Sequence, residues 1–245
     1  MSDRTPTPPT RLPFSLAVGA LLIGALVVAV VFIDRANSVS TPSAAASPSA
    51  SATASTSASP AAIAFADCTT ATFGPPMPPS GEPANPHVYS APPAMQIDTS
   101  KLYEATITTP RGAIVLCLQP GLAPATVNNF VVLARNHFFD GLKFHRVVAS
   151  FIVQGGDPKG DGSGGPGYTI AEEPVRQQYG LGAVAMAKAS AAHSTGSQFF
   201  ICIADDTTKL QPLYSLFGKV ATGLSVAQAT QQGDVMQSVT VTQQQ

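Results

Sequence analysis

Apolar and polar positions divide this chain into three stretches of different rhythm. Residues 12–33 (LPFSLAVGALLIGALVVAVVFI) are apolar without one charged side chain. Residues 38–60 are almost entirely Ser, Ala, Thr and Pro. From about residue 100 the apolar residues return in short runs separated by turn-forming residues. Residues 103–108 and 113–118 flank a Pro-Arg-Gly turn and read as two paired strands. Residues 123–136 put Val127, Phe130, Val131 and Ala134 at helical spacing, with Pro124 in the first turn, where its missing N–H does no harm. Residues 143–157 (KFHRVVASFIVQGGD) are two apolar runs around a short turn, the pattern of a hairpin on a half-buried surface. Residues 183–189, 198–203, 215–220 and 235–241 read as further strands, and residues 224–230 as a short helix. Roughly eight strands and two helices without βα alternation predict a mainly β domain, a closed eight-stranded antiparallel β-barrel capped by two α-helices.

The first stretch changes the picture of the whole chain. Its 22 positions would span roughly 33 Å as a helix, enough for a bilayer core of ~30 Å. Arg4 and Arg11 precede it and Asp34-Arg35 follows, so the positive excess favours an N-in, C-out orientation. A cleaved signal peptide is the competing reading, but its apolar region covers roughly 7–15 residues and ends at small side chains. Here the run is longer and ends in Val-Val-Phe-Ile. The expected organisation is a cytoplasmic tail over residues 1–11, a transmembrane signal anchor over 12–33, a disordered linker over 34–99 and a globular domain over 100–245. The expected location is the cell membrane, single-pass, with the C-terminal domain extracytoplasmic; the alternative is secretion after cleavage. Fifteen of the 22 prolines precede residue 100 and 16 of the 20 glycines follow it, which sets the boundary near Thr99. A Ser/Ala/Thr/Pro stretch buries too little apolar area to offset its ordering entropy. Eight prolines in residues 74–93 predict a stiffer, extended segment.

Charge and cysteine content exclude several functions. A net charge of -1 offers nothing to nucleic acid. Of the three cysteines, Cys117 and Cys202 lie inside apolar runs and read as small core residues. Cys68, in the polar prologue, is the better disulfide candidate, with a partner that spacing does not reveal. No cysteine spacing suggests zinc, and His193 has no second histidine at ligand spacing. Residues 157–167 (DPKGDGSGGPG) contain two overlapping GxGxxG matches but run into proline instead of a helix, so a surface loop is expected there and not a dinucleotide site.

Arg146 and Gln154 are the chemical anomaly, since both interrupt runs that otherwise favour β-branched side chains. An arginine in such a run needs a partner or a use. A salt bridge at the barrel rim and a guanidinium on the floor of an apolar groove both satisfy that requirement.

The stretch KFHRVVASFIVQGGD, the glycine-rich loop after it, GSQFFICI at residues 196–203 and FGKV at residues 217–220 together resemble the cyclophilin family. The resemblance covers residues 103–241, with every block in family order, and favours the groove. It implies the capped barrel, peptidyl-prolyl cis-trans isomerase activity on proline-containing polypeptides, a monomer, and no cofactor or metal. Carried over by motif, Arg146 matches the catalytic arginine, with Phe151 and Gln154 beside it in the catalytic group. Phe151, Phe200 and Leu210 match the walls of the proline pocket, Gln154 and Gln198 its polar edge, and Ala187 a position lining the groove. Ile152, Lys188 and Tyr214 occupy substrate-binding positions where other members often carry methionine, asparagine and histidine. Lys209 stands where cyclosporin-sensitive members have tryptophan, which implies weak binding of that drug.

Overall fold

In the computed structural model, residues 62–81, 85–189, 193–205 and 208–245 are described. The expected helix over residues 12–33 and the Ser/Ala-rich part of the linker lie outside them. Among the described residues no helix is long and apolar enough to cross a membrane.

The strands follow from short apolar runs, and the period-2 pattern is clearest in the one that begins at Tyr103. In β2 (Tyr103–Thr109) Tyr103, Ala105, Ile107 and Thr109 are buried while the residues between them are half-exposed. A tight turn returns the chain into β3 (Gly112–Leu118), with Thr109 opposite Gly112 and Tyr103 opposite Leu118. The chain then enters α1 (Pro124–Arg135), whose N–H groups at Ala125 and Thr126 donate to the Glu173 carboxylate at 3.1 and 2.7 Å. A carboxylate at a helix N-terminus satisfies orphan donors and complements the helix dipole. The hairpin β4 (Arg146–Val148) and β5 (Ile152–Gly155) is followed by β6 (Ala183–Met186), β7 (Phe199–Cys202), β8 (Leu216–Thr222), the short α2 (Leu224–Ala229) and β9 (Ser238–Gln244). All these strands pair antiparallel.

Two expectations are corrected. An additional strand, β1 (Phe73–Pro76), lies on β9, so among the described residues the sheet has nine strands in the order β1-β9-β2-β3-β8-β6-β7-β5-β4. The sheet does not close as a continuous ladder. Between β4 and β9 the chain makes one isolated bridge, Lys143 to Val235, supported by backbone bonds such as Gly141 N–H to Met236 O and Phe144 N–H to Asp234 O. Closure falls on the segments before these strands, where Gly141 and Gly233 turn the chain with positive φ.

The boundary near Thr99 is corrected as well, because the described part of the expected linker is folded onto the sheet. Met77 N–H donates to Val241 O, and Tyr89 N–H donates to Pro166 O. Ser80 N–H donates to the Asn136 side chain and Gln96 N–H to that of Asn128, while Ile97 is buried. Cys68 forms a disulfide with Cys117, so Cys117 is not simply a core residue; Cys202 is buried outside that bond. Polar side chains of α1 and of its C-cap satisfy the prologue's backbone there, a device that leaves no hydrophobic period in the sequence. Prolines at the end of β1 fit an edge strand, where a missing N–H breaks no ladder.

Packing separates into two apolar layers. The interior holds Phe130, Phe139, Phe199 and Phe217, with the Phe130 and Phe139 rings stacked at 4.8 Å and the Phe130 and Phe199 rings edge-on at 5.3 Å. Alternation along β7 sends Phe199 and Ile201 inward, and Phe200 and Cys202 to the opposite face. There a smaller cluster forms from Ile152, Tyr179, Ala183, Ala185, Phe200, Cys202 and Leu216. Each large side chain so buried contributes about 1.5–3 kcal/mol. The interior layer holds the domain together; the outer layer underlies the site.

Candidate active site

Strand register assembles the site. Arg146 on β4 lies opposite Gln154 on β5, Gln154 opposite Phe200 on β7, and Phe200 opposite Ala185 on β6. One cross-strand row thus carries a guanidinium, an amide and an aromatic ring on the same face. Arg146 is exposed, and one of its N–H groups donates to Gln154 Oε1 at 3.2 Å. Gln154 Nε2 donates to Gln198 Oε1 at 3.0 Å, and Gln198 Nε2 donates to the carbonyls of Gly162 and Gly164, both at 2.9 Å. The relay fixes both amides and orients the guanidinium, which has further donors for a ligand.

Apolar walls stand beside this relay. Ile152 and Phe200 belong to the outer layer, and Phe151, Ala187, Leu210 and Tyr214 pack against it. The Phe200 and Tyr214 rings meet edge-to-face at 5.5 Å. Phe151 is aimed by the tight turn between β4 and β5, in which Ser150 takes a positive φ of 54°. Lys209 Nζ donates to Ser150 O at 3.0 Å and lies 5.5 Å from the centre of the Phe151 ring. A cation there stabilises the aromatic wall modestly.

A cavity of about 780 Å³ adjoins the groove, lined by Gln154, Gln198, Ala187, Lys188 and the glycine-rich loop. Arg146, Phe151, Leu210 and Tyr214 are not part of its lining. Lys188 stands apart from the apolar walls, its Nζ 3.8 Å from Glu172 Oε1. Burial pushes the Glu172 carboxyl up, but the N–H groups of His193 and Ser194, with Lys188, outweigh it and hold the group down to about 2. Burial also pulls the His145 imidazole below its usual value, so it is neutral at pH 7 and adds no charge beside Arg146. Among the described residues no cluster of three or more His, Cys, Asp or Glu side chains is placed to hold a metal ion.

The ten residues expected at the site therefore fall into three groups. Arg146, Gln154 and Gln198 share one hydrogen-bonded relay. Phe151, Ile152, Phe200, Leu210, Tyr214 and Ala187 share one apolar layer. Lys188 joins them only through the cavity. Sequence reasoning missed Asp157, which is 1% exposed and accepts N–H bonds from Lys159, Asp161 and Gly162. This carboxylate is the hub around which the glycine loop winds. A Cβ at Gly164 would clash with Asp157 Oδ1, which accounts for glycine at that position without any nucleotide. The available signal was an acid opening a glycine-rich stretch.

The site therefore sets an exposed, tethered guanidinium beside an apolar layer on one face of the sheet. Residues 104–245 match the sequence profile of the family described as cyclophilin type peptidyl-prolyl cis-trans isomerase/CLD, and the chain belongs to this family of peptidyl-prolyl cis-trans isomerases. A Helicobacter pylori peptidyl-prolyl cis-trans isomerase is 43% identical over 146 residues, covering 58% of this chain and 88% of that protein. Peptidyl-prolyl cis-trans isomerase B of Bacillus subtilis is 44% identical over 124 residues, covering 51% and 87% respectively. Among solved structures, a cyclophilin type peptidyl-prolyl cis-trans isomerase from Cryptosporidium parvum, crystallised in the presence of the dipeptide Ala-Pro, aligns with a TM-score of 0.52 at 27% identity. It covers 56% of this chain and 98% of its own.

Proposed function

We propose that this isomerase acts on Xaa-Pro bonds of exported or envelope polypeptides, assisting their folding, with Arg146 stabilising the twisted amide. Rotation about a prolyl amide faces a barrier of ~18–20 kcal/mol because C–N resonance is lost. Bonds to carbon are neither made nor broken, so the work of the site is electrostatic and steric. In the twisted form the prolyl nitrogen is pyramidal and carries a lone pair that the planar form does not offer. A guanidinium N–H directed at that lone pair is favourable only in the twisted form, and such a difference is what accelerates a step. A hydrogen bond to a charged group contributes about 1.5–3 kcal/mol, and a thousandfold acceleration requires about 4 kcal/mol. Arg146, with Gln154 orienting the peptide carbonyl, is of the right order. Phe151, Ile152, Phe200, Leu210 and Tyr214 hold the prolyl ring, Gln198 forms the polar edge, and Ala187 and Lys188 flank the preceding residues of the substrate.

The observation that carries this reading is the relay from Arg146 through Gln154 to Gln198, laid beside the outer apolar layer. The Cys68–Cys117 disulfide supports an oxidising, extracytoplasmic setting. It agrees with the uncharged run over residues 12–33 acting as a membrane anchor. The test is Arg146→Ala in the full-length protein, assayed on an Xaa-Pro peptide. The sheet stays folded while kcat falls by two orders of magnitude or more, the loss of about 3 kcal/mol. Turnover equal to wild type would remove Arg146 from the mechanism.

A further inference from the structure

The wall of the slot formed by Leu210 and Tyr214 is a loop between β7 and β8, and it needs something to hold it. Tyr214 is half-buried, and its neighbour Leu213 is 56% exposed. The support comes from Tyr179, thirty-five residues away in sequence and only 2% exposed. Its hydroxyl donates to Tyr214 O at 2.8 Å and accepts from Tyr214 N–H at 2.9 Å. One phenol therefore satisfies both polar groups of a single peptide-bearing residue, in the manner of a paired strand. The Tyr179 ring also lies 6.4 Å from the Phe200 ring and 6.3 Å from that of Tyr214, behind the edge-to-face pair that Phe200 and Tyr214 make. Burial raises the phenol well above its ordinary value, so it keeps the proton it donates.

We propose that Tyr179 is a positioning residue for the isomerase reaction: by closing two hydrogen bonds on the main chain of Tyr214, its hydroxyl holds the outer wall of the proline slot at the width a prolyl ring fills. This rests on the reading of Leu210 and Tyr214 as slot walls. Tyr179 does not itself touch the substrate. Its effect falls on binding of the ring, which is shared by planar and twisted forms, and so on KM more than on kcat.

The experiment is Tyr179→Phe in the full-length protein, which keeps the ring and removes only the hydroxyl. On an Xaa-Pro peptide, well below the melting temperature, KM rises about tenfold while kcat holds, the size expected when a wall fixed by two neutral hydrogen bonds loosens. A lower melting temperature with an unchanged KM, or a fall confined to kcat, overturns the inference. Tyr214→Ala is measured beside it. KM raised there but unchanged in Tyr179→Phe overturns the positioning role alone; KM unchanged in both overturns the slot reading too. Amide exchange of the unaltered protein gives an independent check. The Tyr214 N–H exchanges as slowly as the sheet amides if the phenol holds it, and rapid exchange refutes the clamp.

Discussion

Removing the disulfide gives the most quantitative test of how the N-terminal prologue is bound to the sheet. Cys68 and Cys117 are 49 residues apart in sequence. In the chain-entropy treatment, closing a loop of that length lowers the entropy of the unfolded chain enough to contribute about 4 kcal/mol at 25 °C. For a folded body of this size, each kcal/mol moves the melting temperature by about 2–4 °C, so Cys68→Ala/Cys117→Ala should melt about 10 °C lower. The native state should survive the change. Ala66 N–H still donates to Gln119 Oε1, Gln119 Nε2 still donates to Ala64 O, and β1 still pairs with β9. None of those contacts involves Arg146, Gln154 or Gln198, so low-temperature turnover is retained. Scanning calorimetry on the oxidised, reduced and doubly substituted proteins gives the comparison. Identical melting temperatures in all three would show that the cross-link constrains nothing, and that the prologue's hydrogen bonds alone dock it.

Three further outcomes follow from particular contacts. Cyclosporin should inhibit weakly, because Lys209 caps the β4–β5 turn where drug-sensitive members are expected to carry tryptophan; Lys209→Trp should strengthen inhibition, and nanomolar inhibition of the unaltered protein contradicts this. Glu172 has a folded pKa of about 2, below its unfolded value near 4.5. Its contribution is therefore complete above the unfolded value and is lost as pH falls toward the folded one, so the stability gap between wild type and Glu172→Gln closes across that window in chemical denaturation. A gap that stays constant with pH removes the role given to this carboxylate. Gly164→Ala should cost about 1–3 kcal/mol, because its new methyl falls on the Asp157 carboxylate; an unchanged denaturation midpoint argues that the loop is not wound around that group.

Most of the sheet was legible because short apolar runs are separated by turn residues, and β2 adds a clean alternation of Tyr103, Ala105 and Ile107. The row of Arg146, Gln154 and Phe200 was legible only in part. Period 2 places Ile152 with Gln154, and Gln198 with Phe200, but register between strands depends on turns that sequence does not specify, and the motif resemblance supplied the rest. What escaped has a common physical cause. β1, the Asn128 and Asn136 contacts and the Tyr179 hydroxyl are polar satisfactions between residues distant in sequence. Polar groups pair one to one, so they leave no periodic trace. The same applies to Cys117, whose apolar neighbours concealed a covalent partner across the sheet surface.

The proposed location of the groove, on the face that carries Arg146 and Phe200, has a practical corollary for what can be processed. A reaction chamber inside a barrel would need a mouth, and a polypeptide would have to be threaded through it from one end. On the reading proposed above, the bond is turned at the sheet face beside the exposed Arg146, with both ends of the client free to trail away. Proline deep within a long or half-folded chain is then as reachable as one near a terminus.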